Sequence, residues 1–315
     1  MQELMKGTDV APMWDAVAYN AGFIVLRPTP SAVELYKLIR QMTTASRSMD
    51  DQGALNRAIG RLKRGQDNST SNSTFQMKLL SREKFLSGRA YFELGRRLLP
   101  KEKDCNPANE LHCPLVVHNN WLVSKNAKVY RFREHLMWMH EENQYYSSAT
   151  RSYLTYVNPK IFEANVSNQL SSLKAALAIG RLCNRTVILP RFLCWNKAGT
   201  TIANECPLNS LIRIPRFEAC FKDQFRESSF LKHPKVPIAV RLGSQVHLLQ
   251  PQTNTTTSLH LKSRFIQQQL CTSTAKVLNV GSLLGVNIIF DNKLQGKAFY
   301  NDTDTCFRRG SYRQY

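Results

Sequence analysis

Apolar and polar positions fall into two series with a polar stretch between them. Residues 16–26 form a weakly alternating apolar run interrupted by Gly22, which predicts a buried strand. Arg27-Pro28-Thr29-Pro30 ends that run, because proline cannot donate to a ladder. Ser31 is placed to cap a helix carrying Val33, Leu35, Tyr36, Leu38 and Ile39. Asp50 or Asp51 caps the next helix, DQGALNRAIGRLKRG, with Leu55, Ala58, Ile59 and Leu62 inward. Short strands are expected at 78–80, 90–92 and 115–117, the last running into His118-Asn119-Asn120-Trp121. Residues 131–142 predict a basic, aromatic helix or turn.

The second series opens with NQLSSLKAALAIGRLC, residues 168–183. Leu170, Leu173, Ala176, Leu177 and Ile179 recur there at helical spacing. A strand is expected at 185–189, stopped by Pro190, and helix-then-strand with a short join is half of a layered α/β unit. Beyond it the pattern predicts a loop-rich stretch at 191–235. Strands at 237–241 and 246–249, a helix at 259–277 and a strand at 286–290 follow. The expected organisation is a first unit over 1–142, a linker over 143–160, a second α/β unit over 161–290 and a polar, basic tail over 291–315.

Charge and cysteine usage change the picture. The net charge of +20 over 315 residues predicts attraction to something anionic: nucleic acid, an acidic glycan, a membrane surface or a phosphorylated small molecule. No run of eighteen apolar residues is present, so no membrane span is predicted, and the N-terminus MQELMKGTDVAPMW lacks the apolar core of a signal peptide. Eight cysteines and six N-x-S/T sequons point to a secretory lumen. Asn68 and Asn72 in the polar stretch DNSTSNST, together with Asn254, are the candidate glycosylation sites; Asn184, opening a strand, is the poorest. No cysteine spacing matches a zinc site, so Cys105 with Cys113 and Cys194 with Cys206 read as loop-closing disulfides, and Cys183 as a buried thiol. RFREHLMWMH at 131–140 is too short to sustain a nucleic-acid reading.

AYNAGFIVLRPTPSAVELY, DDQGALNRAI and VVHNNWLVSKNAKVYRFRE occur in this order. Together, over about residues 9–135, they resemble the latter half of the nucleotide-diphospho-sugar transferase domain. That family includes the plant cell-wall arabinosyl-, galactosyl- and xylosyltransferases of glycosyltransferase family 77. The resemblance implies an α/β fold with a partial glycosyltransferase A-type, Rossmann-like mixed sheet. It implies transfer of a sugar, with retention of configuration, from a nucleotide-diphosphate donor to a glycan or glycoprotein acceptor, aided by Mn²⁺ or Mg²⁺. It also implies a Golgi-luminal, type II membrane protein when complete. The Asp-x-Asp of such families has no counterpart in the expected place; Asp302-Thr303-Asp304 follows no apolar strand and is not counted. The chain therefore reads as N-terminally incomplete, with the membrane anchor in the missing part. A catalytically inactive relative that holds a nucleotide sugar or acidic glycan is the alternative. Residues 168–196 more weakly resemble the first helix and strand of fucosyltransferase-like proteins.

Residue roles follow from this resemblance and from side-chain chemistry. His118 is the candidate metal ligand, as a neutral imidazole after a strand. Asp51, with Gln52 beside it, is the candidate catalytic pair that meets the acceptor hydroxyl or the transferred sugar; an N-cap role for Asp51 is compatible. Asn20 offers a donor and an acceptor to sugar hydroxyls, or makes a strand-end hydrogen bond. Gly22 lets backbone approach a ligand closely. Arg27 suits a carboxylate or phosphate, Lys128 a phosphate oxygen, and Trp121 a sugar face or a half-buried core position.

Overall fold

The computed structural model describes residues 5–15, 17–65, 75–94, 114–160, 164–195, 201–249 and 259–307. Asn68, Asn72, Asn254, Cys105 and Cys113 lie outside these. The chain divides into two compact units, Met1–Leu122 and Val123–Tyr315. Each is mixed α/β, and the expected fold class holds.

In the first unit β1 (Val10–Asp15) pairs antiparallel with β2 (Ala18–Leu26). The register jumps from Pro12 opposite Ile24 to Met13 opposite Asn20, so Ala21, Gly22 and Phe23 bulge out of the ladder. A bulge re-aims side chains. Tyr19, Ala21 and Ile24 pack against α1 (Pro30–Ala45) and α2 (Asp51–Lys63), around Leu35, Leu38, Leu55, Ala58 and Ile59. Phe23 and Val25 instead join Met13, Leu80 and Phe85. The cap of α1 is Thr29, not Ser31: its hydroxyl accepts from the Ala32 amide at 3.3 Å, and Pro30 takes the first helical position, which needs no donor. Residues 76–80 run beside β1, with the Lys78 and Leu80 amides bonded to Val10 and Pro12 carbonyls. The strand expected at 90–92 is a π-helical turn, Arg89–Leu94. β3 (Phe85–Ser87) pairs in parallel with β4 (Val116–His118), Ser87 opposite His118.

In the second unit β5 (Tyr153–Val157) and β6 (Thr186–Ile188) are joined through α4 (Val166–Leu182), the helix-and-strand pair the apolar spacing predicts. The helix before them, α3, is Lys125–Glu134. The expected linker differs from the structure, because β5 is an inner strand of a five-stranded parallel sheet. That sheet runs β10 (Ser244–Val246), β12 (Val277–Ser282), β5, β6, β9 (Phe225–Arg226). Strand order reverses beside β5, as in doubly wound folds. Five apolar or small residues between polar flanks carry too little pattern to stand out. The stretch read as loop-rich holds β7 (Phe192–Trp195), β8 (Thr201–Cys206) and α5 (Ile214–Phe221) besides β9. Residues 237–241, expected as a strand, are the N-cap Pro237 and most of α6 (Ile238–Leu242). The helix expected over 259–277 is split into β11 (Leu259–Lys262) and α7 (Ser263–Gln269); β11 pairs in parallel with β13 (Val286–Ile289). The expected tail contains α8 (Lys293–Cys306). Asp302 and Asp304 tie α8 to α4 through Arg181 at 3.6 Å and Lys174 at 3.0 Å, which accounts for that Asp-x-Asp.

Disulfides join Cys183 to Cys271, Cys194 to Cys206 and Cys220 to Cys306. The 194–206 bridge was expected. Cys183 is not a buried thiol: it stands one residue past the end of α4, where it is bonded to Cys271. Among the described residues no helix is long and apolar enough to cross a membrane.

Candidate functional site

The site of the first unit is assembled where β1 and β4 end. β1 delivers Asp15, which is only 3% exposed. Its Oδ2 accepts from Asn20 Nδ2 at 2.9 Å and from Asn120 Nδ2 at 2.6 Å, and its Oδ1 accepts from Trp121 Nε1 at 2.5 Å. A carboxylate taken from water needs such donors. The two asparagines pass the connection on. Asn20 Oδ1 accepts from the Gly22 amide at 2.7 Å, and Asn120 Oδ1 accepts from the Gly88 amide at 2.7 Å. One carboxylate thus ties together the bulge of β2, the turn after β3 and the segment after β4.

His118 closes this arrangement. A Cβ at Gly22 would lie 2.5 Å from His118 Nε2 and 2.6 Å from its Cε1. The imidazole edge therefore sits directly on the glycine backbone, where any Cβ would force the ring to move. Gly22 is required here by this approach, since its φ is not among the positive values of the chain. Trp121 does have a positive φ, 59°, which a bulky residue adopts only when its surroundings impose it; the bond to Asp15 and the Arg89 guanidinium 5.3 Å from its ring centre supply that constraint.

The structure thus brings together His118, Gly22, Asn20 and Trp121 among the sequence candidates. Asn20 is buried, with its amide donating to Asp15 and its oxygen accepting from Gly22, so its strand-end role is the one observed. Trp121 takes the half-buried structural position with its indole N–H engaged. Arg27 Nη1 donates to the Met5 carbonyl at 3.1 Å and anchors the chain start, a backbone role in place of an anionic partner. Asp51 and Gln52 are not brought to His118. They open α2, on the side of β2 faced by Tyr19 and Ala21, because successive strand side chains point to opposite faces. Asp50 is the N-cap, accepting from the Gly53 amide at 2.6 Å, while Asp51 lines a groove of about 370 Å³ with Ala21, Leu26, Tyr36, Arg40 and Thr43. Lys128 lies half-buried in α3, in the second unit.

For a metal, this set is incomplete. Among the described residues no three His, Cys, Asp or Glu side chains come together, and the Asp15 oxygens are committed to three donors. His118 by itself is one ligand, and a divalent cation needs more.

In the second unit Gln169, in the first turn of α4, has a structural role. Gln169 is fully buried; its Oε1 accepts from Asn158 Nδ2 at 2.9 Å and the Leu193 amide at 2.8 Å, tying the ends of β5 and α4 to β7.

Sequence reasoning passed over Asp15, Asn120 and Gly88. A lone Asp after VAPMW resembles a solvated strand end, and two of its three partners lie 105 and 106 residues away.

Residues 3–132 match the family of nucleotide-diphospho-sugar transferases. The resemblance read from the Asn-x-Gly-Phe, Asp-Gln and His-x-Asn-Trp stretches is thereby shown for the part of the chain that carries them. Among curated proteins the chain is similar to arabinosyltransferase XEG113 of Arabidopsis thaliana, 24% identical over 274 residues that cover 74% of this chain. The chain spans 41% of that relative's length. No solved structure matches.

Proposed function

We propose that the first unit binds a nucleotide-diphosphate sugar on the side of β2 marked by Gly22 and His118, as part of a glycosyltransferase that moves the sugar to a glycan or glycoprotein acceptor. The observation that carries this is the imidazole of His118 seated on the bare backbone of Gly22, within the stretch that matches the transferase family. The absence of a side chain at Gly22 is what lets the imidazole lie this close to the strand, and an imidazole can both donate to and accept from a polar ligand. The net charge of +20 favours a diphosphate donor over a neutral sugar. The disulfides fit a luminal setting, here read as the Golgi. Mn²⁺ or Mg²⁺ would supply charge neutralisation at the diphosphate; among the described residues of this unit His118 is the candidate ligand, and it would need further ligands to hold the ion.

A second reading, a relative that binds the donor without turnover, is favoured by one observation: Asp51, the carboxylate expected at the reacting centre, opens onto the opposite side of β2 from His118. Calorimetry of the full chain against a panel of UDP- and GDP-sugars, an arabinosyl donor included, tests the binding both readings share. Saturable binding that His118→Ala weakens is the expected result; equal affinity in wild type and variant would overturn the donor site. Release of sugar to acceptor or water then separates a transferase from a binder.

A further inference from the structure

We propose that Asp15 is the positioning residue of this site. Its carboxylate sets the Gly22 bulge and the His118–Trp121 segment in register with each other. In its consequence for ligand binding this rests on the donor-site reading above; as a statement about geometry it stands alone.

The two oxygens of Asp15 divide the work. Oδ2 takes both asparagine amides, and Oδ1 takes the Trp121 indole N–H. Each asparagine then spends its own oxygen on a glycine amide, Gly22 on one side and Gly88 on the other. Gly22 is the residue against which His118 lies, and Gly88 follows Ser87, the ladder partner of His118. His118 thus has Gly22 against its imidazole and Gly88 next to its ladder partner Ser87, and both glycine amides lead back to one carboxylate. The short bonds mark charge-assisted pairing. Neither asparagine can replace Asp15, because three convergent donors need an anion with two accepting oxygens, and an amide offers one.

Asp15→Asn is the sharp test. An amide at this position satisfies either Trp121 or the asparagine pair, and turns its own N–H₂ against the other. The expected result, in ¹H–¹⁵N spectra of the full chain, is a change in the Trp121 indole N–H resonance together with at least ~10-fold faster amide exchange at Gly22 or Gly88. Amides of α2 such as Leu55 and Ala58, which pack on the opposite side of β2, keep their protection. Affinity for the UDP-sugar that wild type binds falls about 10-fold, the scale of one lost hydrogen bond. An unchanged indole resonance with unchanged glycine exchange overturns the proposal. Should wild type bind no nucleotide sugar, the donor reading fails while the spectra still decide the role of Asp15. Should Asp15→Asn not fold, Asn120→Ala serves instead: it cuts the path to Gly88 alone, so Gly88 exchanges faster and Gly22 does not, and equal exchange at both refutes the arrangement.

Discussion

Adding one methyl group at Gly22 separates stability from ligand binding. In Gly22→Ala the new Cβ would stand 2.5 Å from His118 Nε2 and 3.1 Å from Asn20 Oδ1. Non-bonded heavy atoms settle near 3.5–4.0 Å, so the imidazole must retreat by about 1 Å. It can do so by rotating, at a cost of about 0.5–1.5 kcal/mol for an off-rotamer side chain. Alanine returns about 0.4–1 kcal/mol by restricting the unfolded chain, and no left-handed φ opposes it. The two terms offset, and the melting temperature should move by no more than about 2–4 °C. Binding has no such offset. An imidazole displaced by about 1 Å loses its hydrogen bond to the ligand, about 10-fold in affinity. Thermal denaturation and calorimetry on the same preparation read both numbers. A variant that melts like wild type and binds the nucleotide sugar about 10-fold more weakly is the expected outcome. Wild-type affinity in Gly22→Ala would refute the claim that the His118 edge on Gly22 is part of the ligand surface.

Three further outcomes follow from the same structure. Asp50→Ala should cost about 1 kcal/mol in denaturant unfolding, because Asp50 caps α2, while Asp51→Ala should stay within about 0.5 kcal/mol; reversed magnitudes would show that Asp51 is the cap. Replacing Cys183 and Cys271 together by Ser opens a loop of 88 residues and should cost about 4–5 kcal/mol in the chain-entropy account, against about 3 kcal/mol for the 12-residue separation of Cys194 and Cys206; equal losses would contradict that account here. Burial raises the carboxyl pKa of Glu227, whose Oε2 accepts from the Tyr145 hydroxyl at 2.6 Å, while the Tyr145 bond and the Arg133 and Arg226 guanidiniums pull it down. A raised pKa means the folded state holds that proton more tightly than the unfolded chain. Its stabilising effect is therefore complete below the ordinary carboxyl pKa of 4.5 and is lost as pH rises through the folded value. Glu227→Gln should flatten that decline in unfolding free energy measured upward from pH 4, and an undiminished slope would assign it to another group.

Short-range pattern determined a good part of this protein. The apolar spacing of Leu170, Leu173, Ala176, Leu177 and Ile179 places α4 and, through Pro190, the end of β6, because helix period and proline geometry are properties of neighbouring residues. The same holds for α1 and α2. Motif order was enough to connect the first unit with nucleotide-diphospho-sugar transferases. Periodicity failed where an element was brief, as in β5 and α6, or where a long amphipathic stretch held two elements, as in β11 and α7. The site itself was decided by the tertiary structure. Asn20, Gly22, His118 and Trp121 were visible as candidates, yet nothing nearby in sequence marks Asp15 as the carboxylate that Asn20 and Trp121 share, or sends Asp51 to the other side of the strand. Nor does anything local join Cys183 to Cys271 or Cys220 to Cys306. A buried carboxylate takes whichever donors the packed chain brings within 3 Å, and two of the three here came from 105 and 106 residues along the chain. Local propensity sets which way each strand runs; only the closure of the ladder, with its three-residue bulge, sets what each side chain meets.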